Sequence, residues 1–131
     1  MTRGYREGMN RLTLALATLI LGTAQAATPP VQVNYRVYQY ACTGGQNLKV
    51  YYVQFGDQPM FAMLDWKGQR HGLAQAISAS GARYASLSGP AGARGGLQWW
   101  EHQGKAELST FVGNSTTTTK TLLTGCKTPG R

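Results

Sequence analysis

From residue 33 onward, apolar and polar side chains alternate with the two-residue period of β-strands. Val33, Tyr35 and Val37 alternate with Asn34, Arg36 and Tyr38, and Leu48, Val50 and Tyr52 alternate with Lys49, Tyr51 and Val53. These runs are rich in tyrosine and β-branched residues, which suit a pleated, half-buried surface. Turn-forming stretches punctuate them at Thr43-Gly44-Gly45-Gln46-Asn47, Gly56-Asp57-Gln58-Pro59 and Lys67-Gly68-Gln69. The pattern predicts strands over 33–42, 48–55, 60–66, 71–79, 83–88, 96–102, 105–112 and 120–126. Short strands at this regular spacing point to an all-β, antiparallel architecture. About eight of them make a small barrel filled by its own side chains, whose closure protects strand edges. Two segments break the alternation, the glycine-rich stretch 88–96 around Arg94 and the polar, threonine-rich stretch 113–119.

The first 26 residues follow a different pattern. Arg3, Arg6 and Arg11 precede an uncharged apolar run from Leu12 to Leu21, and Ala24-Gln25-Ala26 supplies the small residues of a cleavage site. The run is half the length needed to cross a membrane, about 20 residues. Residues 1–26 therefore read as a signal peptide, with Met9 an alternative start. No cysteine stands near residue 27, so a soluble exported form without a lipid anchor is expected. Residues 27–32 form a stiff, polar lead-in around Pro29 and Pro30 with no reason to fold; residues 33–127 form the domain, and 128–131 a short tail.

Export gives meaning to the cysteines and the charge. Cys42 and Cys126 are the two cysteines of the chain, and an oxidising compartment favours a disulfide between them. Such a bond would tie the first strand to the last. The chain has 13 basic and five acidic residues, and the leader holds three of the former and one of the latter, leaving +6. That surplus favours anionic partners, but export argues against nucleic acid, and the basic residues are scattered singly.

An enzyme is not expected. Asp57 lies in a turn, and Asp65, Glu101 and Glu107 read as solvated positions on or beside strands. Paired catalytic carboxylates would have to face one cleft. His71 and His102 lack metal-type spacing, no GxSxG elbow is present, and neither a metal nor a cofactor is implied.

Two segments carry the candidate chemistry. In Ser78-Ala79-Ser80-Gly81-Ala82-Arg83-Tyr84, small residues, a glycine, a cation and an aromatic meet near a strand end. They read either as a glycine-relaxed strand entry or as a protruding loop whose hydroxyl and guanidinium donate to a carboxylate. In Trp99-Trp100-Glu101-His102-Gln103-Gly104-Lys105, adjacent tryptophans on one strand point to opposite faces, one to the core and one outward. The outward ring is either a contact anchor or further packing.

Taken in order, these motifs resemble a known family. Tyr40-Ala41-Cys42, Val50 with Tyr52, Ala62 with Leu64, Leu73, the 78–84 segment, Trp99-Trp100 with Gly104, Ala106 with Leu108, and Cys126 are similar to the periplasmic and membrane-bound inhibitors of c-type lysozyme of Gram-negative bacteria. The resemblance covers about residues 35–126. It implies a disulfide-bonded antiparallel barrel in the periplasm that blocks lysozyme stoichiometrically and so helps evade host defence. It implies that a loop enters the lysozyme cleft, where a serine and a lysine meet the two catalytic carboxyl groups. Carried over, Ser80 is the serine, Gly81 permits its turn and Tyr84 braces the loop, with Ala82 and Arg83 between them. Where the family has WxKG, this chain has Trp100-Glu101-His102-Gln103. His102 thus stands at the lysine position and Gln103 at the glycine position, with Lys105 or Arg94 as substitute cations. A second expectation, independent of the resemblance, is a binding module for an anionic envelope component such as lipopolysaccharide or peptidoglycan. The chain does not specify whether the domain acts as a monomer or a homodimer.

Overall fold

The alternating runs become eight strands, described in a computed structural model over residues 26–58, 60–86 and 95–129. They are β1 (Val33–Cys42), β2 (Gln46–Phe55), β3 (Phe61–Trp66), β4 (Gln69–Ala76), β5 (Ala82–Ala85), β6 (Leu97–His102), β7 (Lys105–Phe111) and β8 (Thr119–Cys126). The leader up to residue 25, and Arg94 with most of the glycine-rich stretch, lie outside the described residues. Each strand pairs antiparallel with the next, in the order β1 to β8. The all-β expectation holds, and the predicted strands match with small shifts at their ends. β4 stops at Ala76 rather than continuing to residue 79, so residues 77–81 form a loop, and β5 likewise ends three residues early, at Ala85.

The sheet curls so that one face becomes an interior. Leu48, Val50, Ala62, Leu64, Leu97, Trp99 and Leu108 are all fully or almost fully buried there, with Tyr40, Tyr52, Tyr84 and Leu123 beside them. Aromatic rings fill much of it: Tyr40 meets Trp99 edge-on at 5.0 Å, and Tyr52 meets Tyr84 at 5.5 Å. Such pairs add to the area they bury because the positive ring edge faces a negative ring face.

Closure is only partial, giving a curled half-barrel. β1 and β8 meet at one end, where Ala41 and Lys127 exchange backbone hydrogen bonds of 2.8 and 2.9 Å and the Thr43 N–H donates to the Thr124 carbonyl at 2.9 Å. The Cys42–Cys126 disulfide seals that end, with Cα atoms 3.9 Å apart. Continuing the ladder would set Pro129 opposite Gln39, and proline has no N–H to give.

The apolar positions of β1 go the other way from those of β2. Val33, Tyr35 and Val37 are 54%, 71% and 45% exposed, while Tyr38, Tyr40 and Cys42 turn toward the core. Tyr40 and Cys42 must face inward because the disulfide and the Trp99 contact hold them there. The two-residue period then sends every odd position of β1 outward.

The disulfide closes a loop of 84 residues in sequence separation. Removing it in a Cys42→Ser/Cys126→Ser double variant should lower unfolding free energy by roughly 2–5 kcal/mol. Urea denaturation of the two proteins side by side checks this.

Candidate functional site

The site grows out of two neighbouring connections, the 77–81 loop between β4 and β5 and the turn between β6 and β7. The turn has only Gln103 and Gly104 between paired residues His102 and Lys105. Both adopt positive φ, 50° and 74°. That is the type I′ geometry, whose twist matches the flanking strands.

Alternation along β6 decides what each side chain does. Leu97 and Trp99 point inward and are fully buried, so Trp99 is the core tryptophan. Trp100 and His102 point outward on the same face, stacked at 5.0 Å between ring centroids with planes 20° apart. The Trp100 Nε1–H donates to the Ser80 carbonyl at 3.0 Å, and the Ser78 hydroxyl donates to the same oxygen at 2.5 Å. Ser80 Oγ then lies 3.1 Å from His102 Nδ1. The structure thus brings together Ser80, Trp100 and His102 at one exposed end. Lys105, opposite His102 in the ladder, leaves the same face of the hairpin.

Gly81 makes this approach possible. Its φ is +69°, and a Cβ there would sit 1.9 Å from the Glu101 carbonyl oxygen. No side chain fits, because the atom in the way is rigid backbone. The loop therefore rests directly on the main chain of β6.

Glu101 departs from the expected solvated strand face. As an odd position of β6 it points into the barrel, where Oε1 accepts hydrogen bonds from the Tyr40 hydroxyl at 2.6 Å and from the Tyr52 hydroxyl. Tyr52 in turn accepts from the Trp99 Nε1–H at 2.8 Å. Burial, reinforced by the nearby Glu101 charge, raises both phenols well above the usual tyrosine range. The same causes push Tyr84 up to about 12. The signal that could have found Glu101 is its odd parity with Trp99, readable only once the inward tryptophan is known.

The other candidates fall elsewhere. Tyr84 is a core residue, its hydroxyl directed at the Met60 sulfur at 3.6 Å, and Ala82 packs partly against the core. Arg83 projects outward from β5, and its guanidinium donates to Gln98 Oε1 at 2.6 Å and to the Ile77 and Thr116 carbonyls at 3.2 and 3.4 Å. It clamps the start of the 77–81 loop to the 113–118 connection rather than reaching toward Ser80. Asp65 is engaged by Arg70 on the outer surface, which holds its carboxyl below the usual range, and Glu107 accepts from Thr121. Among the described residues, no group of three or more His, Cys, Asp or Glu side chains could hold a metal.

Residues 40–116 match the family model of the membrane-bound lysozyme-inhibitor of c-type lysozyme, MliC. The chain belongs to that family. The family's description is that of an inhibitor rather than an enzyme. Lipoprotein LprI of Mycobacterium tuberculosis and that of Mycobacterium bovis are each 35% identical over 101 residues, covering 74% of this chain. The chain spans 44% of the length of these relatives. Among solved structures, Pseudomonas aeruginosa MliC in complex with hen egg white lysozyme shares the fold, with a TM-score of 0.50 and 22% identity. That match covers 85% of this chain and 99% of the other. The family's envelope setting, membrane-bound by description and lipoprotein by name of its relatives, is consistent with an exported chain.

Two outcomes follow from this geometry. Gly81→Ala should destabilise the protein by at least about 1 kcal/mol, since both φ and the approach to Glu101 oppose a Cβ; thermal unfolding measures it. Tyr40, Tyr52 and Tyr84 hold their protons more tightly folded than unfolded, so their contribution is complete below the unfolded tyrosine value of about 10 and is lost as pH rises beyond it. Stability followed from pH 9 upward should fall, and less steeply in Tyr52→Phe.

Proposed function

We propose that this domain is a stoichiometric inhibitor of c-type lysozyme, acting in the periplasm after export, which presents Ser80 and His102 to the enzyme's active-site cleft. Family membership supports the target. The observation that carries the mechanism is the 3.1 Å approach of Ser80 Oγ to His102 Nδ1 on two adjoining, braced loops.

The pair has a defined hydrogen-bond logic. With a neutral imidazole accepting at Nδ1, the Ser80 hydroxyl proton is spent inside the protein. With an imidazolium, Nδ1–H donates to Ser80 Oγ, so the serine O–H and the histidine Nε2–H both become available to outside acceptors. A glycosidase cleft of two carboxyl groups, one ionised, is such an acceptor. Charge-assisted bonds from an imidazolium to a carboxylate are about twice as strong as neutral ones. Lys105 on the same face adds positive charge, and Gln103 at the turn tip adds an amide. The Trp100 ring, stacked behind His102, limits the rotamers the imidazole must give up on binding. Blocking the cleft also excludes the polysaccharide.

Inhibition of hen egg white lysozyme in a cell-wall lysis assay tests the reading. His102→Lys, a permanent cation at the same position, should preserve or strengthen inhibition, and His102→Ala should weaken it. Ser80→Ala should weaken inhibition about tenfold or more, as expected for losing a hydrogen bond to a charged group worth about 1.5–3 kcal/mol. No inhibition at molar excess of the mature protein would overturn the proposal. The rival reading, a module for an anionic envelope polymer, rests on the net charge and on Arg94 of the glycine-rich stretch, which lies outside the described residues.

A further inference from the structure

β1 ends the sheet, and over Val33–Gln39 it has a ladder partner only on the β2 side among the described residues. Backbone groups alternate in direction along a strand. Ala41 directs its N–H and C=O at Lys127, away from β2, while the Gln32 carbonyl turns toward β2 to accept from Gly56. The β1–β2 register is unbroken from Val33 to Cys42, so the backbone groups of Val33, Tyr35, Val37 and Gln39 all face the open edge. The side chains at Val33, Tyr35 and Val37 form the exposed apolar row of the outer face, and Phe55 and Phe61, in edge-to-face contact at 6.0 Å, extend it. An open edge beside an exposed apolar row is a template for another strand.

We propose that two copies of this domain associate through antiparallel pairing of β1 with β1, with the two-fold axis at Tyr35. The register follows from which groups are unoccupied. A pairing centred on Val37 would require the Ala41 groups, which Lys127 already holds. A pairing centred on Arg36 sets two guanidinium-bearing residues directly opposite each other, a like-charge clash. Centring on Tyr35 sets Val33 against Val37 of the second copy, Tyr35 against Tyr35, and Arg36 against the neutral Asn34. It uses the open backbone groups in about six inter-strand hydrogen bonds and joins the two apolar rows into one. Residues 27–131 carry a charge of +6, so charge opposes the association and backbone pairing with apolar contact drives it. Ser80 and His102 lie on the 77–81 and 102–105 connections, and the pairing uses only the backbone and side chains of β1, so the association does not depend on the inhibitor reading.

Sedimentation velocity of the mature protein tests this. A concentration-dependent monomer–dimer equilibrium that tightens with added salt, as repulsion is screened, is expected. Val37→Pro removes one edge-facing N–H without touching the β2 ladder and should shift the protein to monomer. Tyr35→Cys should form a disulfide-linked dimer under mild oxidation, since directly opposed hydrogen-bonded residues lie about 5.5 Å apart, whereas Val37→Cys should not. A monomer at every concentration overturns the proposal. So does a dimer that loosens with salt, that survives Val37→Pro, or that cross-links through residue 37 in preference to residue 35. Lysozyme inhibition measured on the same variants separates this result from the fate of the inhibitor reading.

Discussion

Glu101 reaches into a barrel lined with aromatic rings and finds two phenols there, and much of the site is arranged around that anchorage. A carboxylate in such a place is costly unless its oxygens are hydrogen-bonded. Tyr40 from β1 and Tyr52 from β2 supply the donors, and Trp99 holds Tyr52 in turn. The network ties the far end of β6 to the opposite wall of the barrel. Parity then does the rest: with Trp99 and Glu101 committed inward, Trp100 and His102 must face out on the same side of the strand.

The same residue supports the neighbouring loop from its backbone side. Gly81 lies against the Glu101 carbonyl so closely that only a missing Cβ allows it. Trp100 takes up the Ser80 carbonyl, Ser78 shares it, and Arg83 holds Ile77 from the outer face. The 77–81 loop is thereby gripped at its start, its apex and its end without any regular secondary structure of its own. A serine and a histidine 22 positions apart come within hydrogen-bond distance as a result. Rigid placement of this kind reduces the ordering entropy that binding would otherwise cost.

At the other extreme of the sheet, closure fails for an equally local reason. The disulfide and the Ala41–Lys127 bridge draw β1 and β8 together at one end, while Pro129 stands where the ladder would go on. The domain is consequently sealed on one side and open along half of β1.

The strands were legible in the sequence because alternation and turn residues are local signals, needing no knowledge of what packs where. The Cys42–Cys126 bond was legible too, since two cysteines in an exported domain leave one simple pairing. The ordered motifs around Ser80 and Trp100 pointed to the family that the full comparison then established. What the chain alone left undecided was direction. Period-two alternation states that neighbours face opposite ways but not which face is inside. Val33, Tyr35 and Val37, the apolar set of the β1 alternation, lie outside, and Glu101, read as solvated, lies inside. Arg83 shares the outer face with Trp100, its partner across the ladder, yet its guanidinium turns to Gln98, Ile77 and Thr116 rather than to Ser80. Only the curl of the sheet, with its disulfide and aromatic interior, settles those choices, because burial is a property of the assembled strands and not of any one of them.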